Sequence, residues 1–228
     1  MKAIDRRAAI LAAALPLFAA NGPDGVTTKE IAAAAAVSEA LLYRHFPSKQ
    51  AIFEAIQEDC VREATENIGR LEELPDNTAT LVMCIYLLMW KILRGPQRIY
   101  GLHTCIARLQ LRSLLDDGSF ARSFLELSSA AWVDKLSRCV DAAIAAGDLE
   151  NDREGAELGI WFAHHMSIAL RMYGLPSEPV VAYPVDPAAI LDHAVLYCLR
   201  GLGLTRSAIN AHYNPRVFDL LLSGAETR

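Results

Sequence analysis

Apolar side chains recur every three or four residues along most of this chain, which is the spacing that places them on one face of an α-helix. The longest such stripe consists of Leu158, Trp161, Phe162, His165, Ile168, Ala169 and Met172. Strand-like alternation is nearly absent, since its best candidate, Val180 to Val185, is short and contains Pro184. The pattern therefore predicts an all-α protein.

Glycine and proline residues separate the periodic segments and mark where helices end. Between them we expect about nine helices, near residues 3–20, 27–35, 38–45, 48–72, 77–94, 98–116, 119–146, 152–174 and 187–202. The pattern does not settle the structure of the tail after Gly203, which contains enough apolar residues for a further short helix.

The predicted helices at 27–35 and 38–45 are too short to be stable alone in water, so tertiary packing must hold them. Thr27 and Glu30 have the spacing of a capping box, and Ser38 is a favourable N-cap for the next helix. Two short helices joined by a tight turn, with the first helix of the chain packed against them, form a helix-turn-helix.

Three segments of this module, 27–32 (TTKEIA), 37–38 (VS) and 42–49 (LYRHFPSK), resemble the DNA-binding module of the tetracycline-repressor (TetR) family. The resemblance covers roughly residues 5–55. It implies a helix-turn-helix DNA-binding domain at 1–50 and a helical ligand-binding and dimerisation domain at 51–228. The function it implies is a homodimeric, ligand-responsive transcriptional regulator, a repressor, that binds a pseudo-palindromic operator in double-stranded DNA.

The resemblance also implies which side chains contact DNA. Hydroxyls, lysines and helix N-termini suit phosphate oxygens, whereas the first turn of a recognition helix reaches base edges. The phosphate partners would be Thr27, Thr28, Tyr43, His45 and Lys49, and the base-reading residues Ser38, Glu39 and Ala40. Each position also has a purely structural interpretation. Glu39 would either accept a hydrogen bond from cytosine N4 or only repel phosphates.

Two residues depart from what such a module usually contains. The family has a glycine in the tight turn where this chain has Ala36, and a left-handed conformation there would cost alanine about 1 kcal/mol. Pro16 lies inside the first predicted helix, where it removes a backbone hydrogen bond.

The predicted helix at 152–174 is apolar on a second side, which carries Ile160, Ala163, Met166, Leu170 and Tyr173. Such a helix is expected to pack one face on its own core and the other on a partner. With the helix at 187–202, the resemblance implies a four-helix interface between two copies of the chain. Two copies would place their recognition helices in successive major grooves, about 34–36 Å apart.

The resemblance further implies a small-molecule effector, bound by helices between 77 and 146 with residues of the 152–174 helix nearby. Candidate lining residues are Tyr86, Trp90, His103, Cys105, Trp132, Trp161 and His165. None is an acid, a lysine or an arginine, which favours a small, mainly apolar effector. The alternative is that most of them are ordinary core residues. Adjacent His164 and His165 point to different faces of a helix, so no metal site and no cofactor is expected.

Composition limits the class of protein. The apolar fraction of 53% excludes a wholly disordered chain. The first 50 residues hold six Lys or Arg against four Asp or Glu, whereas the whole chain holds 22 against 27, so a basic module precedes an acidic body. Five well-separated cysteines exclude a Cys-x-x-Cys knuckle and favour the reduced cytoplasm.

Two apolar segments could be mistaken for a membrane span or a secretory signal. The segment 79–90 is uncharged but shorter than the roughly 20 residues that a bilayer requires, so we expect a buried helix and no membrane partner. Arg6 and Arg7 precede the apolar residues 8–20, which superficially resembles a secretory signal. The alanine-rich composition favours instead a helix that packs against the short pair.

Two other classes of function remain as alternatives. The first is a helical small-molecule-binding protein or enzyme whose N-terminal module is structural, and the second is a protein-binding adaptor. The chain has no Gly-x-Ser-x-Gly, no phosphate-binding glycine loop and no His-Glu-x-x-His, so we expect no catalytic residues. Tyr43, His45 and Lys49 argue against an adaptor that has lost DNA contact.

Overall fold

The computed structural model describes residues 3–65, 71–94, 103–178 and 180–225. Within these ranges the chain forms eleven α-helices and no strand, apart from an isolated bridge between Leu149 and Leu204. The helices are α1 (Ala3–Asn21), α2 (Thr28–Ala34), α3 (Glu39–His45), α4 (Lys49–Thr65), α5 (Thr78–Arg94), α6 (His103–Leu115), α7 (Ser119–Ala145), α8 (Arg153–Tyr173), α9 (Ile190–Gly201), α10 (Arg206–His212) and α11 (Pro215–Ala225). The all-α prediction is confirmed.

The tail after Gly203 forms two helices, α10 and α11, rather than one. Thr205 caps α10, because its hydroxyl accepts a hydrogen bond from the backbone N–H of Ala208 at 3.1 Å. Ile209 and Phe218 from these two helices are buried in the same apolar core as α5. The tail is therefore an integral part of the fold.

The described chain divides into two compact units. The first contains residues 1–66 and 97–130, and the second contains 67–96 and 131–228. The first unit extends beyond the predicted boundary at residue 50 because Ile106 and Leu109 of α6 and Phe120 of α7 enter its core. The functional division at 50/51 remains a prediction.

Helix α1 packs against several other helices of unit 1. Its buried side chains Ile10, Leu11, Ala14, Leu15 and Phe18 contact α2, α4 and α6. The Phe18 ring meets Phe53 of α4 edge-on, with 5.4 Å between centroids. At the C-terminal end of α1, Arg112 donates a hydrogen bond to the carbonyl of Ala20 at 2.8 Å. Helix α1 continues through Pro16, and it packs against the short pair as the sequence predicted.

Helix α5 occupies the core of unit 2. Leu81, Val82, Ile85, Tyr86 and Met89 are buried in it, and α5 contacts α8, α9 and α10. The prediction that 79–90 lies in a buried helix is confirmed. No helix in the described part of the chain is long and apolar enough to span a bilayer.

A polar network holds the segment before α5 against α7. Lys135 is only 1% exposed. Its ammonium group donates to the carbonyl of Leu74 at 2.5 Å and to the carboxylate of Asp76 at 2.6 Å. Arg138 donates to the second oxygen of Asp76 at 3.0 Å and to Glu72 at 2.5 Å. The network satisfies a buried charge that would otherwise strongly destabilise the unit.

Candidate nucleic-acid interface

Helices α2 and α3 begin at the caps that the sequence predicts. The Thr27 hydroxyl accepts from the Glu30 N–H at 3.2 Å, and the Glu30 carboxylate accepts from the Thr27 N–H at 2.7 Å, so both halves of the capping box are formed. These hydrogen bonds lower the pKa of Glu30. Ser38 accepts from the N–H of Leu41 at 3.2 Å and caps α3.

Three predicted DNA-contact residues form one cluster on the surface of the pair. The Thr28 hydroxyl donates to the Glu39 carboxylate at 3.1 Å and lies 3.2 Å from the Tyr43 hydroxyl. Tyr43 is 49% exposed although it is aromatic. The contacts join the start of α2 to two successive turns of α3, so they fix the crossing of the two helices with their polar groups facing solvent.

The remaining predicted DNA contacts are distributed around this cluster. Ser38, the N-cap of α3, and Ala40, in its first turn, are exposed. His45 and Lys49 are partly exposed at the end of α3 and the start of α4. Thr27 is exposed, but its hydroxyl also donates to Glu30 at 2.7 Å. These hydrogen bonds position the start of α2, and the contact of Thr27 with phosphate remains a prediction.

Two exposed cations adjoin the predicted set and were missed at the sequence level. Lys29 lies in the first turn of α2, and Arg44 lies in the last turn of α3 between Tyr43 and His45. Their position in the sequence, directly beside predicted DNA contacts, could have identified them. Both are suited to phosphate oxygens, because a cation attracts the backbone whatever the base sequence.

The turn between α2 and α3 confirms the concern about Ala36. Its φ is +53°, the left-handed region that favours glycine. The N–H of Ala36 bonds to the carbonyl of Ala33 at 3.1 Å, and that of Val37 bonds to Ala32 at 2.9 Å. This is a Schellman ending, in which a left-handed residue lets two otherwise orphaned carbonyls be satisfied.

Replacing Ala36 by glycine is therefore expected to stabilise unit 1 by about 1 kcal/mol, since it removes the steric cost of a left-handed alanine. Urea unfolding followed by circular dichroism would measure the change. The exposed helical residue Ala33 supplies a matched control, because Ala33→Gly should destabilise by a similar amount. Equal losses from both glycines would contradict the assignment of strain to Ala36.

The predicted apolar stripe of α8 faces outward in this chain, whereas its second apolar side faces the core. Leu158 is 50% exposed and Phe162 is 58% exposed, while Ile160 and Ala163 are buried. On α9, Tyr197 is 66% exposed. An apolar surface of this kind on two helices indicates an interaction site.

The predicted ligand residues are distributed over both units, and their role as ligand contacts remains a prediction. In unit 2, Tyr86 is buried and donates to Asp219 at 2.6 Å, and Trp90 and Trp132 pack against its core. Cys105 packs against the core of unit 1. The side chain of His103 lies outside the described residues.

Trp161 and His165 lie on α8, with 6.1 Å between their rings. His164 stands next to them, and burial together with the charge of His165 lowers its pKa to about 4. The described residues contain no group of three or more His, Cys, Asp or Glu side chains placed to hold a metal ion.

Comparison with known proteins identifies the first module. Residues 10–56 match the family model of bacterial regulatory proteins of the tetR family, which confirms the predicted resemblance. A curated relative, the nucleoid occlusion factor SlmA of Escherichia coli K12, is 39% identical over 94 residues, or 40% of this chain. The match spans 48%, about half, of that relative's own length.

Solved structures share the fold over nearly the whole chain. A tetR-family regulatory protein from Rhodococcus RHA1 is 25% identical, with a TM-score of 0.62 over 88% of this chain and 98% of that one. AibR in complex with isovaleryl coenzyme A and operator DNA is 20% identical, with a TM-score of 0.60 over 83% of this chain and 96% of that one.

Proposed function

We propose that this chain, which carries a tetR-family helix-turn-helix domain, is a homodimeric transcriptional repressor of the cytoplasm that a small effector releases from its operator. The observation that carries the proposal is the exposed cluster of Thr28, Glu39 and Tyr43 on the α2–α3 pair. Binding rather than catalysis is the activity that this surface supports.

Different side chains at and around the cluster would contact phosphates and bases. The hydroxyls of Thr28 and Tyr43, with the ammonium of Lys49, would donate to phosphate oxygens on either side of the major groove. Ser38, Glu39 and Ala40, in the first turn of α3, would face base edges. Thr28 donates to one oxygen of the Glu39 carboxylate, so the other oxygen would be available to accept from cytosine N4, while the negative charge would repel phosphate.

A second copy of the chain is proposed to cover the apolar face of α8 and α9. Leu158, Phe162 and Tyr197 are too exposed to stabilise the single chain, and their burial would supply the apolar centre of an interface. Dimerisation would also bring two recognition helices to each operator. Once the first helix is bound, the second is held near its half-site at a high effective concentration, so the dimer binds more tightly than a single copy.

The proposed effector is small and mainly apolar, and it acts only if its affinity for the DNA-free dimer exceeds that for the DNA-bound dimer. AibR, whose solved complex contains isovaleryl coenzyme A and operator DNA, has a similar fold. It supports the idea that a chain of this shape accommodates both kinds of partner. Tyr86, Trp90, His103, Cys105, Trp132, Trp161 and His165 remain proposed contacts.

Three substitutions separate phosphate contact from base recognition. Tyr43→Phe and Lys49→Ala are expected to weaken binding to every duplex, Tyr43→Phe by about tenfold, because each loses a hydrogen bond to a charged phosphate. Glu39→Gln is expected to change which duplex is preferred. Fluorescence anisotropy with DNA from upstream of the gene and a scrambled duplex, measured over a salt series, gives both quantities.

Arg206→Ala is the matched control, because this exposed arginine starts α10 in the other unit. It should leave both affinity and the salt dependence unchanged, whereas Lys49→Ala should reduce the salt slope by about 1. Binding that is unaltered in Tyr43→Phe, Lys49→Ala and Glu39→Gln alike would show that this face does not contact DNA.

A further inference from the structure

Arg7 lies near the start of α1 and packs against the end of α3, the proposed recognition helix. The central carbon of its guanidinium group is 4.9 Å from the centroid of the Phe46 ring. Phe46 is the C-cap of α3 and is buried in the core of unit 1, whereas Arg7 is exposed. The arginine therefore covers an aromatic ring of fixed position at the surface of the helix-turn-helix.

This contact leaves the hydrogen-bond donors of Arg7 available to a ligand. A guanidinium packs on an aromatic ring through its flat face, and its five N–H groups lie in its plane, away from that contact. No hydrogen bond or ion pair joins Arg7 to another residue that the structure describes. Because its planar group is already held on the ring, Arg7 would lose less conformational freedom on binding an anion than an unsupported side chain would.

The charge of Arg7 adds to other positive charges at the same end of α3. Arg44 lies in the last turn of α3, and Lys49 begins α4. The segment 40–53 contains no Asp or Glu, so no acid within it offsets these charges. The N-terminus of α4, which Ser48 caps, contributes the positive end of a helix dipole. An anion at this end of α3 would therefore be attracted by groups from three helices.

We propose that Arg7 is a further contact to the DNA backbone and donates its guanidinium N–H groups to a phosphate on the same side of the groove as Lys49. The proposal rests on the function proposed above and extends its interface to α1. The family model matches residues 10–56, so Arg7 lies outside the segment that it covers. Arginine is suited to this role because its paired N–H donors match two oxygens of one phosphate.

The ring of Phe46 determines where that phosphate would bind. Phe46 follows the last residue of α3 directly, so a guanidinium packed on its ring keeps a constant position relative to the recognition helix. A phosphate held there would fix the depth of α3 in the groove. Contacts of this kind set the register of a protein on DNA without carrying sequence information.

The salt dependence of DNA binding tests this contact. Fluorescence anisotropy of the full chain with a labelled scrambled duplex is sufficient, because a phosphate contact does not depend on the base sequence. Arg7→Gln is expected to weaken binding about tenfold and to reduce the salt slope by about 1, since it removes one charged hydrogen bond and one phosphate contact. Arg6→Gln is the matched control, because it removes the same charge from the neighbouring position, which faces another side of α1. It should leave both quantities unchanged.

Two further variants distinguish direct contact from support of the fold. Arg7→Lys keeps the charge, so it should preserve the salt slope but bind more weakly than the natural chain, because an ammonium group cannot hold two phosphate oxygens in a fixed plane. Combining Arg7→Gln with Lys49→Ala should reduce the slope by about 2, because each residue contacts a phosphate of its own. Melting followed by circular dichroism would show whether each variant is folded at the temperature of the titration.

An unchanged salt slope in folded Arg7→Gln would overturn the proposal. Weaker binding with that unchanged slope would show that Arg7 only holds α1 against the end of α3. Equal effects of Arg6→Gln and Arg7→Gln would also overturn it, since long-range charge alone would then explain both. Failure of the proposed function is a different result, because the natural chain would then bind neither the scrambled duplex nor DNA from upstream of the gene.

Discussion

Replacing Phe162 by glutamate is expected to turn the proposed dimer into a monomer and to lower operator affinity at least 100-fold. The Phe162 side chain is 58% exposed on the outer face of α8, beside Leu158. Burying a phenylalanine contributes about 1.5–3 kcal/mol, and a twofold interface loses it twice. An introduced carboxylate would in addition face its own copy without a partner charge.

Light scattering coupled to size-exclusion chromatography would measure the mass, and anisotropy with the operator duplex would measure affinity. Val217→Glu is the matched control, because this exposed apolar residue lies on α11 and outside the α8–α9 face. It should remain dimeric and bind DNA normally. If Phe162→Glu stayed dimeric with unchanged affinity, the pairing surface would have to be elsewhere.

Removing the Asp76 carboxylate is expected to destabilise unit 2 by about 3 kcal/mol, because it leaves the Lys135 ammonium buried with only the Leu74 carbonyl as a described partner. This loss of stability is at the lower end of the range for removing one partner of a buried ion pair, because the Asp76 side chain is 37% exposed and water can reach it. Asp76→Ala and Lys135→Met should differ in urea unfolding. The methionine removes the charge and leaves Asp76 paired with Arg138, so it should cost less.

The same pair makes an acid-dependent contribution to stability. The hydrogen bond from Lys135 is the main reason that the pKa of Asp76 is lowered from its usual value. A lowered pKa means that the stabilisation is complete above the usual pKa near 4 and is lost as the pH falls through the folded value. Asp76→Ala should lack this part of the acid transition. Identical acid profiles, or equal losses from both substitutions, would contradict the role given to the pair.

Local signals were sufficient for the first module. The capping box of Thr27 and Glu30, the Ser38 cap and the strained Ala36 all depend on residues within a few positions of one another, so a sequence displays them directly. The contact between Thr28 and Tyr43 is different, because it joins two helices. The motif predicted that both residues serve one surface, but not that Glu39 would bond to one of them.

The candidate ligand site shows where periodicity stops being informative. Apolar spacing placed Tyr86 and Trp90 on a helix but could not distinguish a cavity wall from a filled core. One cavity of unit 2 is lined by helix ends and a connecting segment. Two of its lining residues, Arg94 and Arg171, are 77 positions apart in the chain, and no local pattern relates them.

By itself the sequence determined the all-helical class, the caps of α2 and α3 and the helix-turn-helix module, since hydrogen bonding and capping act within a turn or two. Only the tertiary structure decided which apolar side of α8 faces the core, that Lys135 is buried against Asp76, and that two arginines share a cavity. The physical reason is that burial and charge pairing depend on residues that folding brings together from distant parts of the chain.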